Sequence, residues 1–156
     1  MIRIIVALDQ KRGIAKHGGQ PWYIPSDEQY FKEMTSSKGG VVLMGQKTLE
    51  AIGHPLENRA NFVLSREARQ AEGLTYIQDI DKFFGEQTGD VWVIGGASVF
   101  SQAINVADEL YITHIQADFG CDQQFPEYEH VFEERSSSEL HTQNGFIYTF
   151  HIYGKL

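Results

Sequence analysis

The chain has 156 residues, 42% of them hydrophobic, which suits one domain spanning 1-156 with a core large enough to need no covalent staple. Its 21 acidic and 13 basic residues give a formal net charge of -8, which argues against nonspecific binding to nucleic acid or to an anionic membrane. The single cysteine, Cys121, excludes an intrachain disulfide or a multi-cysteine zinc site, and the apolar start IRIIVAL is too short to span a bilayer, so a cytoplasmic protein is expected.

Ile2 to Leu8 is almost continuously apolar and branched, as a central strand buried on both faces should be. Asp9 to Gln20 is polar, carries Gly13, Gly18 and Gly19, and is too long for a simple turn, so a binding loop or lid is expected there. Pro21 and Pro25 stiffen the next stretch, and a helix is expected just after Pro25, with Ser26 as its N-cap and Gln29 completing a capping box. Asp27 and Phe31 then stand at i and i+4 on the face that also carries apolar residues, which turns Asp27 towards the body of the protein or a cavity. Two readings fit Asp27. A carboxylate in a first helical turn complements the helix dipole. Beside Trp22 and Pro21 it is also a candidate acid, or an acceptor for ligand N–H groups, with its proton affinity raised by desolvation.

Gly39 and Gly40 break the chain before a second buried strand, Val41 to Met44, which ends at Gly45. Gln46 to Ile52 reads as a short helix stopped by Gly53, with Pro55 just beyond. Asn61 to Leu64 and Leu74 to Gln78 are expected strands, and Ile80 to Phe84 one or two helical turns. Val91 to Gly96 is a strongly apolar strand that runs into the helical pattern ASVFSQAINVA. Glu109 to Gln116 follows as a strand, and Val131 to Ser137 and Phe146 to Tyr153 read as a terminal hairpin pair. Strand and helix alternate early and strands alone come last, which predicts an α/β sheet, mostly parallel, with an antiparallel C-terminal edge.

Three strand ends carry groups suited to phosphate. Gly45-Gln46-Lys47-Thr48 offers a cation and a hydroxyl at a helix start, Leu64-Ser65-Arg66 offers a hydroxyl and a guanidinium, and Gly95-Gly96 lets a ligand approach the backbone while Ala97, Ser98 and Val99 open a helix. Each alone is bland, and the glycine pair lacks the spacing of the dinucleotide fingerprint. Their repetition points to one extended ligand with several phosphates across the carboxyl edge of a parallel sheet. The six histidines show no ligand spacing, so no metal site is expected.

PWYIPSDEQYFK, GQKTLEAIGHPLENR, LSR, VIGGASVF and LYITHI, in this order along nearly the whole chain, resemble the dihydrofolate reductase family. The resemblance implies an eight-stranded, mostly parallel sheet with an antiparallel C-terminal strand and about four flanking helices. It also implies an enzyme that transfers hydride from NADPH to 7,8-dihydrofolate. Asp27 would then hold the pterin and support protonation at N5, Thr113 would hydrogen-bond Asp27 and the pterin amino group, and Trp22 would hold an ordered water. Main-chain carbonyls of Ile5 and Ile94 would meet the pterin edge, with Phe31, Ile52 and Leu56 at the p-aminobenzoyl ring and Arg59 on the glutamate α-carboxylate. Ala7, also a substrate contact, would line the nicotinamide end with Ile14, Gly95, Gly96 and Phe100. Gly45, Gln46, Lys47, Thr48, Leu64, Ser65, Arg66, Ala97, Ser98 and Val99 would contact the rest of the cofactor.

Four positions depart from the family pattern. Gln46 stands where many relatives carry arginine, Ala15 and Gln20 alter the lid, and His54 takes the place of a frequent arginine. Two rival readings are a pyrimidine reductase on the same fold, which lacks the Trp-plus-Asp helix entry, and a noncatalytic folate- or nucleotide-binding module. A monomer is expected, since no long apolar edge or heptad is visible.

Overall fold

The computed structural model describes residues 1–36 and 40–156, so Gly39 of the expected chain break lies outside the described residues. The elements in chain order are β1 (Ile2–Leu8), β2 (Gly13–Ala15), α1 (Pro25–Ser36), β3 (Val41–Gly45), α2 (Gln46–Ile52), β4 (Ala60–Leu64), β5 (Leu74–Ile77), α3 (Ile80–Glu86), β6 (Val91–Gly95), α4 (Ala97–Ala103), β7 (Glu109–Ile115), β8 (Gln123–Gln124), β9 (Phe132–Ser137), β10 (His141–Gln143) and β11 (Phe146–Lys155). The main sheet is eight strands wide, in the order β10-β11-β7-β1-β6-β3-β4-β5, and β9 pairs with the part of β11 that β10 leaves open. The pairs from β7 through β1, β6, β3 and β4 to β5 are parallel, and β11 is antiparallel to its neighbours, as the alternation of strands and helices predicts.

The strands buried on both faces are the apolar runs. Ile4, Leu8, Val42, Leu43, Met44, Val91 and Val93 lie in the core, which explains why these segments lack the alternation of a half-exposed strand. The sheet opens at one place. Pairing of β1 with β6 runs from Ile2↔Val91 to Ile4↔Val93, whereas pairing of β1 with β7 continues to Leu8↔His114. The carboxyl ends of β1 and β6 therefore part, and such a gap is where ligands enter open parallel sheets.

Local structure corrects several expectations. Helix α1 begins at Pro25 itself, with the Asp27 N–H donating to the Ile24 carbonyl at 3.0 Å, so Ser26 lies inside the first turn and is not the N-cap. Proline suits this first position, because its fixed φ matches the helix and its missing N–H would be unpaired anyway. The N–H and hydroxyl of Ser26 both donate to Gln143 Oε1, at 2.7 and 2.6 Å, and Gln29 donates to Glu33, so no capping box forms.

The Asp9 to Gln20 stretch is more ordered than a loop. Strand β2 pairs with β8, and Lys16 and Gly19 close a two-residue turn through His17 (φ 52) and Gly18 (φ 84). Helix α4 stops at Ala103, before the full ASVFSQAINVA pattern, and a tighter turn returns the Val106 N–H to the Ala103 carbonyl at 3.0 Å. The terminal hairpin includes an extra strand, β10, joined to β11 by Asn144 (φ 52) and Gly145 (φ 80), the conformations that a two-residue hairpin turn requires. Among the described residues no helix is long and apolar enough to cross a membrane.

Candidate active site

Asp27 sits in the first turn of α1 and points across to β7. The Thr113 hydroxyl donates to Asp27 Oδ1 at 2.6 Å, joining residues 86 apart in sequence. Thr113 is itself buried, and its register partner on β1 is Ala7, at the mouth where β1 leaves β6. Desolvation pushes the Asp27 carboxyl above the usual carboxylate range, and neighbouring Glu28, which is exposed, pushes the same way; the Thr113 hydrogen bond opposes both. Helix-dipole complementation alone would not need this partner or this burial. Trp22 packs with Ala7, Ile24, Ile115 and Tyr148, and its indole N–H is buried with no hydrogen-bond partner among the described residues. A buried donor of this kind calls for a ligand or a bound water.

Beyond Asp27 the wall is apolar. Half-buried Phe31, Ile52, Leu56 and Ile94 pack on the cluster of Ile5, Val42, Met44, Leu49, Val63 and Trp92. The structure thus gathers in one cluster the residues expected at the pterin edge, Ile5 and Ile94, and those expected at the p-aminobenzoyl ring, Phe31, Ile52 and Leu56, drawn from β1, α1, α2, β6 and the loop after α2. Arg59 lies at the end of that loop, partly desolvated, with its Nε donating to the Glu57 carbonyl at 2.8 Å and its Nη1 to Thr35 Oγ1 at 3.0 Å. His54 is exposed and its Nδ1 is 2.8 Å from the Pro55 carbonyl oxygen.

A cleft of about 1270 Å³ runs along the carboxyl ends of β3, β4 and β6. It is lined by Gly45 to Thr48, Leu64 to Arg66 and Gly96 to Val99, so the three strand ends singled out by their phosphate-compatible groups do meet at one groove. The first turns of α2 and α4 carry no side-chain cap, which leaves their backbone N–H groups free for an anion. The glycines matter here because space is short: a Cβ on Gly45 would lie 3.2 Å from Val99 Cγ2, and one on Gly96 would lie 3.3 Å from Thr48 Oγ1. Gly95 has φ 130, a value that a side chain would strain.

The model of the dihydrofolate reductase family matches residues 1–155. The chain belongs to the dihydrofolate reductase family. The dihydrofolate reductase of Bacillus subtilis is 37% identical over 161 residues, covering 99% of this chain and 95% of that protein. That of Staphylococcus aureus is 35% identical over 153 residues, covering 96% and 94%. Among solved structures, a dihydrofolate reductase from Enterococcus faecalis complexed with NADP(H) superposes with a TM-score of 0.90 at 29% identity, covering 99% of this chain and 96% of that one.

Within this dihydrofolate reductase fold, some expected contacts lie apart from the open groove. Ala7, Ile14 and Phe100 are buried, Ile14 and Phe100 in the main core, and the Phe100 ring packs on Phe125 at 5.2 Å. Gln46 reaches the groove, but Tyr76 donates to its Oε1 at 3.1 Å and its Nε2 donates to Glu50 at 3.4 Å. The groove also draws in Arg69, Gln78, Gln102, Asp122, Gln123 and Gln124, which the strand-end motifs do not contain. Arg69 is three residues past Arg66, and its guanidinium is 3.6 Å from Glu67. No local signal marks the glutamines, and the positions of Gln123 and Gln124 depend on the pairing of β8 with β2.

Proposed function

We propose that two regions divide the work of an NADPH-dependent dihydrofolate reductase, with the pterin held at Asp27 and the cofactor's phosphates held in the groove along β3, β4 and β6. The chain reduces 7,8-dihydrofolate to tetrahydrofolate with NADPH. The observation that carries the residue assignment is the Thr113–Asp27 hydrogen bond at the parting of β1 and β6.

The groove fits a dinucleotide phosphate. Lys47, Arg66 and Arg69 supply positive charge in a chain of net charge -8, Thr48 and Ser65 supply hydroxyls, and the uncapped turns of α2 and α4 supply N–H donors. With Gln46 engaged by Tyr76 and Glu50, preference for the phosphorylated cofactor rests on Arg66 and Arg69. When bound, NADPH supplies the hydride that this chemistry requires.

The chain's own residues supply orientation and proton handling. Asp27 accepts hydrogen bonds from the pterin's N3 and 2-amino groups, and Thr113 fixes the carboxylate while remaining able to accept from the amino group. Burial keeps the proton affinity of Asp27 high, so it supports protonation at N5 through a water held by the Trp22 N–H rather than by touching N5. Carbonyls of Ile5 and Ile94, at the point where the β1–β6 ladder stops, accept from the pterin's other edge. Phe31, Ile52 and Leu56 enclose the p-aminobenzoyl ring, and Arg59 takes the glutamate α-carboxylate. The β2 segment and its turn exclude water as a lid. The enzyme acts as a cytoplasmic monomer that binds neither nucleic acid nor membrane.

The test is consumption of NADPH with dihydrofolate by the wild type and by Asp27→Asn. The variant is expected to lose about 100-fold or more of turnover at neutral pH and to recover part of it at acid pH, where solvent supplies the proton. Unchanged turnover removes Asp27 from the mechanism, and saturable folate binding without turnover in the wild type favours a binding module.

A further inference from the structure

Few polar side chains are deeply buried among the described residues, and two of them, Thr35 and Asn61, touch no proposed reacting group. Thr35 is 0% exposed and Asn61 is 4% exposed. Burying a hydroxyl and an amide is unfavourable unless their hydrogen bonds are met, so the partners show what these residues hold in place. Every partner lies in the segment from Phe31 to Arg59 that encloses the tail of the substrate in the reading above.

Asn61 stands on β4, in register with Val42 on one side and Leu74 on the other, so its backbone is fixed by two neighbouring strands. Its side chain turns back onto the loop between α2 and β4. Oδ1 accepts from the Leu56 N–H at 2.9 Å, while Nδ2 donates to the Leu56 and Arg59 carbonyls, both at 2.9 Å. Only this orientation of the amide satisfies all three groups. Within the same loop Asn58 adopts φ 62, a left-handed conformation that places Arg59 after a sharp bend.

Thr35, at the end of α1, donates to the Phe31 carbonyl at 2.8 Å and accepts from Arg59 Nη1 at 3.0 Å. With Nε on the Glu57 carbonyl, two of the five guanidinium N–H groups are engaged among the described residues, which leaves three, enough for a bidentate grip on a carboxylate.

We infer that Thr35 and Asn61 are positioning residues that preset the clamp for the acidic tail of the substrate: Asn61 fixes the separation of Leu56 and Arg59, and Thr35 aims the Arg59 guanidinium from α1. The inference rests on the reading of Arg59 as the carboxylate partner. Neither residue touches substrate. Their role is to lower the cost of ordering a long, flexible arginine and a loop at the moment of binding. It follows that they set discrimination between substrates with and without a glutamate tail, while the chemistry at the pterin is left to Asp27.

The experiment compares kcat/KM for dihydrofolate with that for a 7,8-dihydropterin carrying only a methyl group at C6, in the wild type, Arg59→Ala, Asn61→Asp and Thr35→Val. Asn61→Asp keeps the volume but turns a carboxylate towards two carbonyls, and Thr35→Val keeps the shape but removes the acceptor of the Arg59 bond. Both are expected to lower the preference for the tailed substrate about tenfold, through KM rather than kcat, and Arg59→Ala is expected to lower it at least as much. If Asn61→Asp does not fold, the Thr35→Val ratio decides. Loss of activity on both substrates in equal proportion shows a purely structural role and overturns the inference. A preference that falls in Arg59→Ala but holds in the other variants overturns it alone, and a preference that holds in Arg59→Ala overturns both the inference and the reading beneath it.

Discussion

Asp9 and Asp27 are carboxylates near the same end of the sheet, and their environments drive them in opposite directions. Asp9 is 3% exposed, yet its carboxyl is held below the usual range. Burial alone would raise it. What overrides burial is a ring of donors: the N–H groups of Lys11 at 2.8 Å, Gly13 at 2.7 Å and Phe119 at 3.1 Å, with the Cys121 thiol adding a fourth. Asp27 receives one hydrogen bond, from Thr113, and its desolvation outweighs that bond, so its proton affinity rises. The balance of donors against desolvation decides which carboxylate stays charged and which can handle a proton. Asp9 is a structural anchor that ties the start of the β2 segment to the loop before β8, and Gly13 is required beside it, since a Cβ there would meet Asp9 oxygens at 2.7 Å and Cys121 Cβ at 2.6 Å.

Changes at the two sites are therefore expected to have opposite signs. The largest effect is expected from Asp9→Ala, which orphans three backbone N–H groups. It should cost about 3 kcal/mol and lower the melting temperature by roughly 6–12 °C, with little change in the melting curve opposing the idea that Asp9 is an anchor. In the wild type, Asp9 contributes stability fully above its unfolded pKa of about 3.9, and loses it as pH falls through the lower folded value.

Thr113→Val comes next. Removing the donor raises the proton affinity of Asp27 further, so the midpoint of the kcat/KM profile should move to higher pH, with activity at neutral pH reduced about tenfold. A smaller effect, of the opposite sign to that at Asp9, is expected from Asp27→Asn in thermal unfolding. The raised pKa means that the ionised carboxylate costs stability at neutral pH, and this cost disappears as pH falls below the unfolded value. The variant should therefore melt about 2–4 °C higher at neutral pH, even as it loses turnover, and should match the wild type in strong acid. Smallest of all is Glu28→Gln, which removes an exposed neighbouring charge and should move the Asp27 midpoint slightly down, an effect that salt in the wild type should mimic.

The sequence reveals Asp27 for a local reason. Two prolines, a tryptophan and an i, i+4 pairing with Phe31 all fall within one helical turn or next to it, and each restricts the chain in a way that can be read without its partners. The parallel strands are legible because burial on both faces leaves unbroken apolar runs. The failures share the opposite cause. Ser26 looks like a cap, and only Gln143, 117 residues away, shows that its donors go elsewhere. Strands β2 and β8 span three and two residues, too short for any periodicity. Strand β10 is polar, although the Asn144-Gly145 pair after it is a hairpin signal that would have found it. Asp9 and Asn61 read as ordinary loop and strand residues, because their importance lies in backbone groups that the fold brings to them.

The contrast between the two carboxylates is tested most directly by following both side-chain carboxyl carbons by NMR through a pH titration of the selectively labelled protein, with Asp9→Asn and Asp27→Asn assigning the signals. The predicted result is a midpoint above the usual carboxylate range for Asp27 and below it for Asp9, with Thr113→Val moving only the Asp27 curve, upward. Two midpoints together in the ordinary range, or Asp9 titrating above Asp27, would contradict the claim that hydrogen-bond donors separate the anchor from the proton-handling group.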